Sequence, residues 1–165
     1  MLGKLTGRVP CLKRLREHLM DLFCQASYFL MLIRCHVLYL CIGSLNGIFA
    51  SDRVLIPISA DYLALSGALA VERTLRALER VLKKPPLRRF VLTRFDTRRN
   101  MSWKIDRKLR EHFGAELCET RISENVSLAE SPGLNLDVFA HAPNSRGARD
   151  YAALLEELEV AGFLS

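Results

Sequence analysis

The sequence lacks the cysteine and histidine spacing of a metal-built or disulfide-built protein. Its five cysteines (Cys11, Cys24, Cys35, Cys41 and Cys118) are odd in number and include no C-x-x-C pair, and its four histidines are scattered. Zinc ligands come in closely spaced pairs and secreted disulfide frameworks in even sets, so both classes are disfavoured and the thiols are expected to be reduced, in a cytoplasm. A glycine-rich phosphate loop is also missing. Gly3-Lys4-Leu5-Thr6 follows no strand and has no run of glycines whose amides could wrap a phosphate. Gly43-Ser44-Leu45-Asn46-Gly47 misses the nucleophile-elbow pattern by one position, which leaves a serine hydrolase without support. Nor is there a clean membrane span. Tyr28 to Ala50 is long enough to cross a bilayer, but Arg34 and His36 lie inside it and Asn46 near its end. A central arginine costs on the order of 2.5–3.5 kcal/mol on insertion, so a buried strand over Tyr28 to Ile33, then a loop and a short helix, is predicted instead. A charged helix precedes this segment and no cleavage pattern follows it, which argues against a secretory signal.

Half of the 165 residues are apolar and a quarter are charged, enough to build one domain with a real core. The net charge of +6 is unevenly spread: residues 1–82 carry +4, residues 83–110 carry +9 and residues 111–165 carry −7. The middle of the chain is a basic block.

The clearest strand-to-helix junction is Ser51 to Gly67, SDRVLIPISADYLALSG. Val54, Leu55, Ile56 and Ile58 form the short apolar run of a strand buried on both faces of a parallel sheet. Ser59 or Asp61 can then cap a helix with Leu65, Leu69, Val71, Leu75, Leu78 and Leu82 on one broad face. The end of such a strand is where open α/β folds bind ligands.

The remaining elements fall in order along the chain. Pro10 opens an amphipathic helix through Phe23. Lys83-Lys84-Pro85-Pro86 is a stop and a turn. Arg89 to Arg94 reads as the next buried strand, with Phe95 to Asn100 as the loop at its carboxyl end. Ser102 is expected to cap a helix that runs to Phe113 and closes at Gly114. Glu116 to Ile122 alternates as a strand, and Asn125 to Glu130 forms a short helical turn. Ser131-Pro132-Gly133 breaks the chain, and Leu136 to Ala140 is expected as a small edge strand. A helix begins at Asn144 or Ser145, buries Tyr151, Leu154, Leu155 and Leu158, and ends at Gly162. Strand alternates with helix over short connections, which predicts an α/β fold with a mostly parallel sheet and flanking helices.

Four ordered blocks between Ser51 and Leu158 carry a resemblance. SDRVLIPISADYLALSG is similar to A-D-x-V-L-I-P-V-x-x-x-x-x-A-L-x-G, and VLTRFDTRRNMS to L-T-x-x-D-x-R-x-x-x-S. RISENVSLAESP is similar to I-P-x-N-V-x-L-x-E-A-P, and HAPNSRGARDY to Y-x-P-x-S-x-G-A-x-x-Y. These are motifs of the ParA family of partition ATPases, the deviant-Walker P-loop proteins that include MinD, and the chain resembles the carboxyl-terminal two-thirds of that family. The resemblance implies a partial P-loop NTPase fold, with residues 1–50 a divergent amino-terminal segment (a helix plus a strand) and residues 51–165 the ParA-like part of the same single domain.

The resemblance also implies ATP and Mg²⁺ as family cofactors bound between two subunits, non-specific DNA bound by the dimer, and a ParB-type partner. In the family, the loop matching Ile122, Ser123, Glu124 and Asn125 lies near the adenine, with the position of Glu130 close by, and the loop holding Thr93 and Asp96 flanks it. Plain turn chemistry is the alternative for these residues, with Asp96, Ser123 and Asn125 as caps. Arg98 resembles a family arginine used against DNA, and Arg99, Lys104, Arg107 and Lys108 extend that patch; the alternative is a solvated basic helix face. Two departures weigh against the DNA reading. Ser123-Glu124 stands where the family often has Pro-Arg, and Ser127 where it often has Arg.

Upstream the departures are larger. The two-lysine phosphate loop and the switch aspartate have no counterpart in these residues, and Arg34-Cys35-His36-Val37 stands where the family has Asp-Cys-Pro-Pro. An arginine offers no acceptor oxygen to magnesium. The expectation is therefore a truncated member of chromosome or plasmid partitioning, degenerate over about residues 24–44, without autonomous ATPase activity and with no catalytic or metal residue of its own. A non-catalytic module that pairs with an intact ParA-like partner or with nucleic acid is the alternative, as homo- or heterodimer. A MinD-like membrane protein fits less well, because Asp150 to Ser165 holds four acidic residues and no basic one. The expected location is the cytoplasm, on the nucleoid where DNA is bound.

Overall fold

In the computed structural model the described residues are Ile48, residues 51–80 and residues 85–164. The helix expected from Pro10, the strand over Tyr28 to Ile33, the Arg34 to Val37 segment and Leu82 to Lys84 lie outside them.

Among the described residues three strands form the sheet: β1 (Arg53–Ser59), β2 (Leu87–Phe95) and β3 (Leu117–Ser123), in the order β1-β2-β3 and all parallel. Between them run α1 (Tyr62–Glu79) and α2 (Asn100–Phe113); α3 (Val126–Glu130), α4 (Val138–His141) and α5 (Arg146–Val160) follow. Because both crossovers step the same way along the sheet, α1 and α2 cover one face. Ile56, Ile58, Phe90 and Leu92 meet Leu65, Val71, Leu75, Ile105, Leu109 and Phe113 there, together with Ile48. Phe90 and Phe113 stack with ring centres 3.9 Å apart. Helix α5 covers the other face, where Val91, Cys118 and Ile122 pack on Leu154 and Leu158, with Leu55 and Leu128 alongside. Burying each such side chain stabilises the fold by about 1.5–3 kcal/mol, and burial on both faces explains why the strands read as near-continuous apolar runs.

The local chemistry follows the sequence at most element ends. Asp61 caps α1 by accepting from the amide of Ala64 at 2.8 Å, Asn125 caps α3 through Ser127 N at 2.8 Å, and Ser145 caps α5 through Ala148 N at 3.1 Å. Gly114 closes α2 at φ 52°, a left-handed angle that favours glycine. At Gly147 a Cβ would lie 2.6 Å from Leu128 Cγ, so glycine is what lets α5 approach α3.

Two expectations are corrected. Ser102 is not the cap of α2: the helix starts two residues earlier, its cap position is Arg99 with no side-chain bond, and Ser102 is buried with its hydroxyl accepting from Asp96 N at 3.4 Å. The hydroxyl serves the end of β2 instead. Leu136 to Ala140 is not an edge strand, because Asp137 accepts from Ala140 N at 2.8 Å and winds Val138–His141 into one helical turn. Local capping overrides the weak alternation there. The break at Ser131-Pro132-Gly133 is a 3-10 turn that ends at Asn135 in the left-handed conformation.

Among the described residues no helix is long and apolar enough to cross a membrane.

Candidate nucleic-acid interface and strand-end loops

The carboxyl ends of β2 and β3 lie side by side. Phe95 is in register with Ser123, and Glu124 N donates to Phe95 O at 3.1 Å. This brings Thr93 and Asp96 next to Ile122, Ser123, Glu124 and Asn125. Glu130 stands apart at the end of α3, where it pairs with His141 at 3.4 Å.

Most polar atoms at this edge are engaged by the fold. Thr93 Oγ1 donates to Ile58 O at 3.2 Å, and Ser123 N donates to Asp150 of α5 at 2.8 Å. Asp96 Oδ1 accepts from Arg98 N at 2.9 Å and shapes the loop, as Asx turns do. Ile122 and Ser123 are buried. Glu124 receives Arg94 at 3.2 Å and Arg99 at 3.9 Å. Arg94 has φ 53° without being glycine; such a residue costs on the order of 1–3 kcal/mol and needs surrounding contacts to hold it, and the register irregularity between Leu92 and Phe95 accommodates it. A triphosphate needs a ring of converging amides, and its metal needs clustered carboxylates. Among the described residues no group of three or more His, Cys, Asp or Glu is arranged for a metal, and the strand-end donors named above already have partners. These strand ends do not by themselves fit a triphosphate or its metal.

The basic residues divide into tied and untied. Arg98 is 93% exposed and 3.6 Å from Asp96, which Arg99 also approaches at 3.3 Å. Lys108 turns its ammonium over the ring of Tyr62, 5.4 Å from the centroid, toward α1. Lys104 and Arg107 are exposed and have no ion-pair partner among the described residues.

Beneath this surface lies a network that pattern reading missed. Asp106, buried to 7% side-chain exposure, accepts from Arg121 of β3 through both oxygens, at 2.9 and 2.8 Å, and from Arg110 at 3.3 Å. Arg110 continues to Glu119 at 2.6 Å. Burial alone would raise the Asp106 carboxyl, but the hydrogen bonds and charges of Arg121 and Arg110 outweigh it and hold the group below its ordinary range. Arg121 also lies over Phe95 and Trp103, 5.4 and 5.6 Å from the ring centres. A second buried acid, Glu72 on α1, joins Arg76 and His112 at 2.6 Å each and ties α1 to α2. On the outer edge of β3, Glu157 accepts from the amides of Glu119 and Thr120 at 2.7 and 2.8 Å. Spacing could have found part of this, since Asp106 and Arg110 stand four apart on a helix. The partner from β3 needed the fold. Burial, with the charge of Glu157 adding to it, pushes the Cys118 thiol up to about 12, so it stays protonated at neutral pH and is no nucleophile.

No protein-family model matches the chain. It is 36% identical over 117 residues to the chromosome-partitioning ATPase Soj of Thermus thermophilus, covering 70% of this chain and 47% of that protein. It is 32% identical over 147 residues to the chromosome partitioning protein ParA of Myxococcus xanthus, covering 88% and 50%. It is 30% identical over 120 residues to the sporulation initiation inhibitor protein Soj of Bacillus subtilis, covering 72% and 47%. The chain spans about half the length of these curated relatives. Together with the parallel sheet flanked by helices among the described residues, these alignments show that the chain is related to the Soj/ParA chromosome-partitioning proteins over about half of their length.

Proposed function

We propose that this chain takes part in chromosome or plasmid partitioning by touching DNA without sequence preference, in the cytoplasm on the nucleoid, and that the 165-residue polypeptide does not hydrolyse ATP by itself. The observation that supports the DNA contact is the outward set Arg98, Lys104 and Arg107, carried on a segment related to Soj and ParA. Cations on one exposed face attract phosphates by releasing counterions, a force that weakens steeply with salt and ignores base sequence. The ParB-type partner, the dimeric state and the ATP and Mg²⁺ of the family belong to the same reading. The expectation of no autonomous turnover rests on the lack of a glycine-rich phosphate loop in these residues, since phosphoryl transfer depends on charge placed around the phosphates.

A gel-shift titration of duplex DNA in low and moderate salt tests the contact. Binding is expected at roughly 10⁻⁴–10⁻⁶ M, the non-specific level. Replacing Arg98 and Arg99 by Glu should weaken it far more than replacing Arg73 and Arg80, two exposed arginines of α1 and its end. Arg76 is unsuitable as a control because it pairs with buried Glu72. Equal losses would reduce the patch to bulk charge. No binding even in low salt would instead favour a module that pairs with an intact ParA-like partner. A magnesium-dependent ATPase activity that tracks this polypeptide through purification would overturn the second half of the proposal.

A further inference from the structure

Trp103, the chain's single tryptophan, is 46% exposed and yet held on several sides. Its Nε1–H donates to Thr97 O at 3.0 Å, Phe95 meets it edge-on at 5.0 Å and 85°, and the Arg121 guanidinium lies 5.6 Å from its centroid. Arg121 is itself fixed by its two bonds to Asp106. An indole so pinned loses little further entropy when something lies on its open surface. Trp103 and Arg107 are four apart along α2, so they share one helix face about 6 Å apart, and Arg99 stands at the cap position before the helix. Lys104 adds an adjacent ammonium, while Asp96 offsets part of the charge of Arg98 and Arg99.

We propose that this face of α2 is a binding site for single-stranded nucleic acid, with an unpaired base stacked on Trp103 and the flanking phosphates on Arg107, Lys104 and Arg99. A rigid aromatic between cations is the arrangement by which single strands are held without sequence readout. A duplex keeps its bases stacked inside and offers none to the indole, so the inference goes beyond the duplex contact proposed above and does not depend on it. An anionic membrane would also attract tryptophan and cations. It fits less well, because the indole N–H is spent on the Thr97 carbonyl of the preceding loop and the neighbouring outward positions are Lys104 and Arg107, not a broad apolar face.

Because the tryptophan is unique, the emission of the full chain excited beyond the absorption of its four tyrosines reports on this position alone. Oligothymidylate in low salt should quench it saturably. Inorganic polyphosphate, a polyanion without bases, should not quench it even where it binds. Vesicles of phosphatidylcholine and phosphatidylserine should leave the emission unshifted. By the anisotropy of a labelled oligonucleotide, Trp103→Leu should lose about five- to a hundredfold in affinity, while Trp103→Phe retains most of it. Trp103→Leu should leave duplex binding within about twofold, whereas the Arg98 and Arg99 double substitution lowers both. Should the leucine variant not fold, the oligothymidylate-against-polyphosphate comparison on the unaltered chain and the Arg107→Glu variant decide. Equal quenching by polyphosphate, a blue shift on vesicles without quenching by oligothymidylate, or unchanged single-strand affinity in a folded Trp103→Leu protein would each overturn the site.

Discussion

The two faces of α2 carry charge for different ends. On the inner face Asp106 is almost out of water and is matched by Arg121 and Arg110, and His112 reaches the buried Glu72 of α1. On the outer face Lys104 and Arg107 stand in water with no acid beside them among the described residues. Within the basic block of residues 83–110, charge that the fold consumes is thus separated from charge left for a ligand. Net charge alone does not make that distinction. A buried ion pair is costly to break from one side, because the remaining partner keeps its desolvation cost; an exposed cation costs almost nothing to remove.

The largest effect expected from breaking this contrast is at the inner face. Asp106→Ala leaves Arg121 and Arg110 without their shared carboxylate, and Arg110 Nη2 is already a buried nitrogen without a partner. Full burial of such a pair would give about 3–5 kcal/mol. The arginine side chains are 29% and 28% exposed and regain some water, so about 2–4 kcal/mol is expected. Urea denaturation measures it, and a loss below about 0.5 kcal/mol would mean that the network is ornamental.

A smaller and pH-dependent effect is expected at Glu72. Burial raises its carboxyl, but the bonds from His112 and Arg76 and their charges prevail and hold it below the ordinary value. A depressed folded value means that the stabilisation is present above the unfolded carboxylate range and is lost as pH falls through the folded one. The urea midpoint should therefore drop as pH falls below about 4.3, with Asp106 and Glu157, also depressed, adding to the slope. Glu72→Gln should cost about 1 kcal/mol at neutral pH, the low end for a buried group losing a charged bond, because Arg76 and His112 are both substantially exposed. It should also flatten the acid limb. An acid limb as steep as that of the unaltered chain would show that Glu72 is not one of the groups that titrate.

Much of this architecture could be read before the fold was known. The strands containing Ile56, Leu92 and Ile122 and the caps at Asp61, Asn125 and Ser145 follow from local rules, because apolar runs and N-cap chemistry act within a few residues. Ser102 and Asp137 misled for the same reason. Each is a small polar residue that can serve several backbone groups: Ser102 serves the end of β2, and Asp137 the helical turn that follows it. Of the candidate residues at the strand ends, only their proximity was legible. Motifs brought Thr93, Asp96 and the Ile122 to Asn125 loop to one sheet end, but not the arginines that Glu124 receives there. Arg121 was invisible as a partner of Asp106, since a contact between a helix and the next strand has no local spacing to betray it.

The smallest change in stability, and the sharpest test of the contrast, is expected from the outer face. Replacing Lys104 and Arg107 together by Gln removes two cations without an ion-pair partner among the described residues, so the urea midpoint should stay within about 0.5 kcal/mol of the unaltered chain. Their effect should appear in the salt dependence of duplex binding. Each phosphate contact contributes a slope of about 0.9 in a plot of log affinity against log salt, so losing both contacts should lower the slope by about 1.8 at most and weaken low-salt binding without regard to sequence. Affinity measured at four or five salt concentrations for both proteins gives the two slopes directly. A stability loss comparable to that of Asp106→Ala would mean that the outer cations have structural partners after all. An unchanged slope would remove Lys104 and Arg107 from the phosphate contact and confine any interface to the Arg98 loop.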